Sequence, residues 1–446
     1  MRHVAQSAVA RAGHKWLVLM ALGLSGLTLA GPVLHIELGG LALIAIFLIG
    51  GAAAYAGARI ADSADWRVGL IIILAGAVAM RLALLFTDPT LSSDIYRYVW
   101  DGRVQAAGIN PYRYVPRAPE LAHLQDGAIW PHINRADYAV TIYPPAAQMI
   151  FLAVTRFGES VAAMKLGLLG SEALAIWAMI ALLQHLGLPV TRVATYAWHP
   201  LPVWEIAGNG HVDAAMIALL MAALLLFVQG RILLAGIAAT AGALIKPVAL
   251  LALPVFWRPW NWRLPLAFLG TVAVFYAPYL SVGADVLGFL PGYLEEEGLS
   301  TGSGFHLLWL IEGIAGPLPG LRAVYPAVAG IVLASLAVAA AFRSDRSDAA
   351  SLACLRWLLV AFLILVSPHY PWYFLVLVPF LALSPSAAVW VMSIGGVLFY
   401  YVAPNPLTPT YESRVVMFTL ATLAAVAHDL WSERAKGRAT LIRGST

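Results

Sequence analysis

Charge is scarce in this 446-residue chain. Asp, Glu, Lys and Arg make up 11% of it, where a soluble domain carries roughly twice that share. Cysteine is nearly absent: Cys354 stands alone, which excludes an internal disulfide and leaves the redox compartment open. No GxxxxGK loop occurs, so no phosphate-cradling nucleotide site is expected. No His-x-x-x-His pair and no closely spaced carboxylate set stands out, and no metal or cofactor is expected. A repeat of fixed period, a low-complexity tract and an Asn-x-Ser/Thr sequon are also missing. The missing sequon agrees with a bacterial inner membrane.

Apolar residue is plentiful instead. Hydrophobic residues make up 61% of the chain and mean hydropathy is +0.81. Several continuous apolar runs reach the roughly 20 residues that cross a bilayer as a helix. A membrane β-barrel would alternate polar and apolar residues along short strands, and these runs do not. The fold class is therefore all-α: a polytopic transmembrane helical protein of roughly fourteen spans. The pI near 9.1 reflects topology rather than nucleic-acid binding.

Spans are expected at 16–36, 38–58 and 67–87, then 161–184, 192–207, 211–229, 231–245, 248–257, 264–283, 322–342, 350–367, 371–384, 387–403 and 413–431. The run 144–158 is too short to cross and reads as a short helix dipping into the outer face. This assignment puts Arg59, Arg67, Arg192, Arg231, Arg258, Arg263, Arg343 and Arg346 inside, with Arg434, Lys436 and Arg438 of a cytoplasmic tail at 432–446. Arg156, Lys165 and Arg322 dissent. Residues 1–66 form an N-terminal hairpin, and the long polar loop at 88–159 lies outside.

Polar groups then gather on one membrane face. In LSSDIYRYVWDG (91–102), Asp94, Arg97, Tyr98 and Asp101 share one face of a helix by their i, i+3, i+4, i+7 spacing. An interfacial helix with an Arg97–Asp101 pair is one reading, and a carboxylate serving as general base is the other. In TIYPPAAQ (141–148), Tyr143 and Gln148 are able to face a site. WEIAGNGHVD (204–213) places Glu205, His211 and Asp213 around a glycine turn that reads either as a Glu205–His211 pair or as a sugar or phosphate site. Lys246, before a helix-breaking proline, reads as an anion partner rather than a snorkelling lysine. SPHYPWYF (367–374) brings His369, Tyr370 and Trp372, an aromatic belt or a phosphate and sugar contact. Glu295 to Glu297 read as solvated. The Gly/Ser segment up to His306 reads as a gate, with His306 a candidate substrate contact.

The order SSDIYRYVWDG, GINPYRY, TIYPPAAQ, WHPLPVWEIAGNGHVD, LIKPVALLALP, SPHYPWYFLVLVP resembles the GT-C class of membrane glycosyltransferases. It is similar in particular to the polyprenol-phosphate-mannose-dependent mannosyltransferases, over residues 67–400. The resemblance implies a catalytic domain over 67–431 and an inverting transfer at the outer face. It also implies a lipid-phosphate sugar donor, most often mannose, and a lipid or glycan acceptor. It gives the base role to Asp94. The leaving phosphate would be stabilised by Lys246, His369, and Arg97 or His211. Some relatives carry Asp-x-Asp at the loop's start. Ser92 stands two before Asp94 here, which argues against a metal. The expected protein is a multi-pass inner-membrane monomer whose site faces the periplasm or exterior, contacting membrane lipids and no nucleic acid. A transporter or flippase of lipid-linked sugars is the alternative, although its ionisable residues belong near mid-membrane. A non-catalytic subunit of an envelope complex would not need Asp94.

Overall fold

The structure is a computed structural model that describes residues 2–62, 65–299, 301–302, 304–400 and 411–443, with side chains over 12–435 of that range except residue 411. The expected tail cations Lys436 and Arg438, and Ser300 and Ser303 of the expected gate, lie outside the described side chains. All regular structure among the described residues is helical.

The chain opens with α1 (Arg2–Leu38), α2 (Gly40–Ala61) and α3 (Trp66–Leu85), followed by α4 (Asp94–Ala106) and α5 (Pro145–Thr155) of the long polar loop. Next come α6 (Val161–His185), α7 (Asp213–Val228), α8 (Ile232–Ala243) and α9 (Arg263–Tyr276). The remainder is α10 (Leu290–Glu296), α11 (His306–Ala315), α12 (Pro319–Ala341), α13 (Asp348–Val366), α14 (Ala387–Gly395) and α15 (Tyr411–Arg443). Eight helical stretches among the described residues are long and apolar enough to cross a membrane, and seven apolar ones are shorter.

Side-chain caps start several of these helices where the sequence supplies them. Asp65 accepts from the Arg67 and Val68 N–H groups at 3.0 and 3.1 Å, Ser160 from Ala163 at 3.1 Å, and Ser386 from Val389 at 3.2 Å. Prolines break others. The expected span 192–207 is not one helix but a 3-10 turn (Val190–Val193), two short α turns and a π-helix (Val203–Gly208). Pro200 and Pro202 each remove a backbone donor from that stretch. The expected 248–257 and 371–384 likewise begin as 3-10 segments at Pro247 and Pro371. Broken backbone of this kind survives in a bilayer only where protein surrounds it or a cavity lines it.

The core runs through the crossing of α3, α6 and the broken 194–208 segment. Arg81 of α3 and Glu172 of α6 form a buried two-pronged pair, at 2.7 and 3.2 Å, and Arg81 also donates to the Ala197 carbonyl. Trp198 wedges beside them and donates to the Ile73 carbonyl at 2.8 Å.

α6 gives the bundle a direction. Its start lies with the 88–143 loop, where Lys165 reaches the Leu84 and Thr87 carbonyls at 3.2 and 2.6 Å. Its far end lies with Asp348, which is 3.3 Å from His185. Arg343 and Arg346 belong to that far end, as does Thr191 against Asp62. Arg343 and Arg346, two of the arginines expected inside, thus share one end, and the long polar loop sits at the other. Lys165, a dissenter by charge count, is fully buried and caps the end of α3. Arg322 is tied to Glu312.

Candidate active site

α4 starts at Asp94, whose own N–H donates to Ser92 Oγ at 3.3 Å. A carboxylate in the first turn faces the positive end of the helix dipole. Asn134, from the loop after α4, donates to Asp94 Oδ1 at 2.9 Å and to Ser93 Oγ at 3.3 Å. Oδ2 of Asp94 accepts no hydrogen bond among the described residues, and the side chain is half-buried. This carboxylate is held in place with one oxygen left over.

Arg97 and Asp101 are placed differently from their expected substrate roles. Arg97 Nε sits 2.8 Å from Asp101 Oδ1, and Arg97 Nη1 donates to the Ala139 carbonyl at 3.2 Å. Gln148 of α5 donates to Asp101 Oδ2 at 2.9 Å and to Thr141 Oγ1 at 2.8 Å. All three are buried. The group fastens α4 to α5, so Arg97, Asp101 and Gln148 position the site and have little left for a ligand. Tyr98 is also core, stacked on Phe151 at 4.5 Å and fully buried. Tyr143 meets Tyr98 edge-on at 4.9 Å, and its carbonyl accepts from Tyr112 at 2.7 Å. It remains half-buried at the site's edge.

The glycine turn docks directly on α4. Gly210 has φ +72°, and a Cβ there would stand 2.1 Å from Ile95 Cδ1. Only glycine fits both the backbone and the approach. The π-helix before it turns Glu205 inward, 3.1 Å from His211 Nε2, both essentially without exposure. π-Helical turns recur at functional sites. His211 stacks on Trp372 at 4.3 Å, and Trp372 stacks on Tyr370 at 4.5 Å. The expected WEIAGNGHVD and SPHYPWYF elements therefore meet in one stack.

Lys246 lies at the α8 break. Pro247 keeps it extended, at φ −140° and ψ 127°. Its Nζ is 2.6 Å from Asp213 Oδ2 in the first turn of α7, and 5.0 Å above the Tyr373 ring. The side chain keeps 16% exposure, while Asp213 keeps 2%. Leu244, two residues earlier, accepts from Ala146 at 3.1 Å, which ties this turn to α5. Asp94 is within electrostatic reach of Glu205, Asp213, Arg135, Tyr370 and Tyr373. Four separate sequence clusters thus converge on one end of the bundle.

A last segment covers them. Phe289 N–H donates to the Thr141 carbonyl at 3.0 Å, and Tyr293 OH lies 2.6 Å from Tyr373 OH. Glu296 accepts from Arg135 Nε at 2.6 Å and from Tyr138 OH at 2.8 Å. Glu297 is 3.2 Å from His369 Nδ1, while His369 Nε2 meets the Gly304 carbonyl at 3.0 Å. The reading of Glu295 to Glu297 as merely solvated is corrected for Glu296 and Glu297, which clasp α10 onto the site. Burial alone would lower the His369 imidazole, but the Glu297 hydrogen bond, the Gly304 carbonyl and the Glu297 charge together raise it above its ordinary value. His306 stacks on His369 at 5.4 Å, at the rim rather than the centre. Among the described residues, no group of three or more His, Cys, Asp or Glu side chains is placed to hold a metal ion.

Asn134, Arg135, Glu296 and Glu297 were not singled out as functional in the sequence. Their contacts join positions far apart in irregular loops, where no periodicity reports a register.

The model of the alpha-(1->6)-mannopyranosyltransferase N-terminal domain matches residues 6–261, more than half the chain. The chain belongs to this family. The matched region contains Asp94, Glu205, His211, Asp213 and Lys246, and ends before His306, His369, Tyr370 and Trp372. The chain is 28% identical over 326 residues to alpha-(1->6)-mannopyranosyltransferase A of Mycobacterium tuberculosis, covering 65% of this chain and 61% of that protein. It is 27% identical over 212 residues to the protein of the same name from Corynebacterium glutamicum, covering 45% and 41%. The matches thus span less than two thirds of either relative. No solved structure matches the chain.

Proposed function

We propose that this protein is an inverting mannosyltransferase that moves mannose from a polyprenyl-phosphate donor to an acceptor hydroxyl at the outer face of a bacterial inner membrane. The observation that carries the reading is Asp94: a fixed carboxylate with a spare oxygen, in a family whose relatives are named for α-(1->6) mannosyl transfer. By analogy with those names, the hydroxyl is a 6-hydroxyl.

Asp94 takes the proton of the acceptor hydroxyl as its oxygen attacks the anomeric carbon. The bond from that carbon to the phosphate oxygen breaks, and its electron pair leaves on the polyprenyl phosphate. Developing negative charge there needs a cation more than a proton. Lys246 suits this role because it keeps exposure while bound to Asp213. His369 sits near the same rim, and Tyr370 frames the sugar, backed by Trp372 and the buried Glu205–His211 pair. No cofactor or metal is assigned, and the donor brings its own activated bond. The outer-face assignment is supported by the arginines at the opposite end of the bundle, as the positive-inside rule expects.

The test uses membranes containing the wild-type protein or Asp94→Asn, with radiolabelled polyprenyl-phosphate mannose and an α-mannoside acceptor. Wild-type transfer that is lost in Asp94→Asn is expected. Wild-type rates from Asp94→Asn would overturn the role of this carboxylate, and no wild-type transfer from this donor would overturn the function.

A further inference from the structure

A cavity of about 780 Å³ opens beside the start of α4, and no residue of the Lys246 cluster lines it. It lies between the Asp88–Ser93 loop, Tyr96 of α4, the Ala128–His132 stretch and the first residues of α6. Its volume falls in the upper part of the roughly 300–1,000 Å³ range of ligand sites.

The lining has a distinct chemistry. Tyr96 and His132 stack at 4.6 Å with 28° between their planes, and His132 is exposed. The carboxylates of Asp88 and Glu159 and the hydroxyls of Ser92 and Ser93 share the lining with this aromatic pair. Glu159 does not wander: Arg103 holds it at 2.8 Å and is itself fixed by Asp126 at 2.7 Å and the Leu124 carbonyl at 2.9 Å. Among the described residues, neither lysine nor arginine lines the cavity. No lining cation is there to hold a phosphate, and the two carboxylates, Glu159 already paired with Arg103, offer acceptors only. They accept hydrogen bonds well from neutral hydroxyls. An aromatic platform with carboxylates at its margins suits a pyranose, whose C–H face packs on the ring while its hydroxyls reach the acids. The volume suits more than one ring.

Ser93 links this cavity to the chemistry. Asn134 donates to both Ser93 Oγ, a lining residue of the cavity, and the neighbouring Asp94 Oδ1. The start of α4 therefore borders the cavity at Ser93 and carries the proposed base one residue later.

The geometry points to this cavity as the acceptor subsite, taking a neutral oligosaccharide of mannose whose terminal 6-hydroxyl projects past Ser93 toward Asp94. The inference rests on the mannosyltransferase reading for the identity of the sugar. It also divides the two substrates: phosphate donor by Lys246, glycan acceptor by Tyr96 and His132.

The experiment measures binding of a photoreactive α-1,6-mannotriose to the full chain in nanodiscs, alongside transfer kinetics. Crosslinks are expected within 88–96, 128–132 and 159–161. His132→Ala and the space-filling Ala128→Trp, both at exposed positions, are expected to weaken mannotriose binding and raise acceptor KM by about five- to tenfold, the worth of one stacking contact. Donor KM and kcat stay unchanged. Wild-type mannotriose affinity in both variants, or crosslinks confined to other segments, overturns the subsite. If mannotriose binds in this cavity and no mannose is transferred, the subsite stands and the proposed function fails. If transfer proceeds and both variants keep the wild-type acceptor KM, the function stands and the subsite fails.

Discussion

The two ends of the helix bundle use the same kinds of charged side chain to opposite effect. At the end where α6 finishes, arginines are spent on backbone. Arg343 reaches the Val255 and Ala340 carbonyls and Ser351 Oγ at 2.9, 2.7 and 2.6 Å. Arg346 reaches the Trp257 and Ala341 carbonyls at 2.9 and 3.1 Å. Arg356 joins the Ser384 carbonyl at 3.0 Å to Glu433 at 2.5 Å. These cations satisfy carbonyls that broken or ending helices leave unpaired. At the other end, Asp94 has one side-chain donor and a spare oxygen, and Lys246 has one carboxylate and residual exposure. The number of partners, not charge, separates structure from candidate chemistry, although Nε of Arg343 and of Arg356 has none among the described residues. Lys165 sharpens the point, because it lies at the site end yet is fully buried on two carbonyls.

The largest expected effect breaks this contrast at its centre. Asp94→Asn should lower kcat by about 10²–10⁴, the usual worth of a general base, while thermal unfolding in detergent stays as in the wild type. A large drop in Tm with proportional activity would make Asp94 another structural charge. The converse belongs to the saturated class. Arg81→Ala leaves Glu172 buried without its partner, at 2% exposure, and should cost about 3–5 kcal/mol of stability. Activity per folded molecule should hardly change. Unaltered unfolding in Arg81→Ala would remove the basis for reading buried pairs as structure.

Lys246→Ala comes next. It should raise donor KM about tenfold, or about 1.4 kcal/mol of binding, with acceptor KM unchanged. Lys246→Arg should recover part of the loss, since the charge remains. Equal donor KM in all three proteins would assign Lys246 to Asp213 alone.

How much of this was legible follows from the kind of contact. Long apolar runs identify the helical membrane class because backbone groups in lipid must pair within a helix. The Arg97–Asp101 pair was legible because an i, i+4 spacing fixes proximity on any helix. It was legible only as one of two readings, and the structure favours the positioning one. The breaks at Pro200 and Pro202 were missed because the surrounding residues stay apolar, so hydropathy alone reads a span. Asn134 against Asp94, 40 residues apart, and Glu296 against Arg135, 161 apart, had no local signal. Their meeting depends on how irregular loops fold over the bundle, and no periodic pattern encodes that. The Tyr96–His132 stack was hidden for the same reason.

The smallest effect tests the covering segment. The His369 imidazole is raised above its ordinary value chiefly by Glu297, against the opposing effect of burial. A group raised on folding contributes stability that is complete below its unfolded pKa, near 6.5, and is lost as pH rises through the folded value. The Glu297 contact should therefore hold α10 firmly at pH 6 and loosen toward pH 9. The change should be within about 1 kcal/mol, as for other partly exposed pairs. His306, stacked on the same ring, is the neighbouring titratable group, so the comparison needs a variant that removes only the pair. Glu297→Gln keeps the size and removes the charge. Amide exchange of residues 290–299, corrected for the intrinsic pH dependence of exchange, should quicken between pH 6 and 9 in the wild type and stay level in Glu297→Gln. An equal slope in both proteins would mean that the clasp rests on Glu296, Arg135 and Tyr138 alone, making His369 another saturated contact rather than a responsive one.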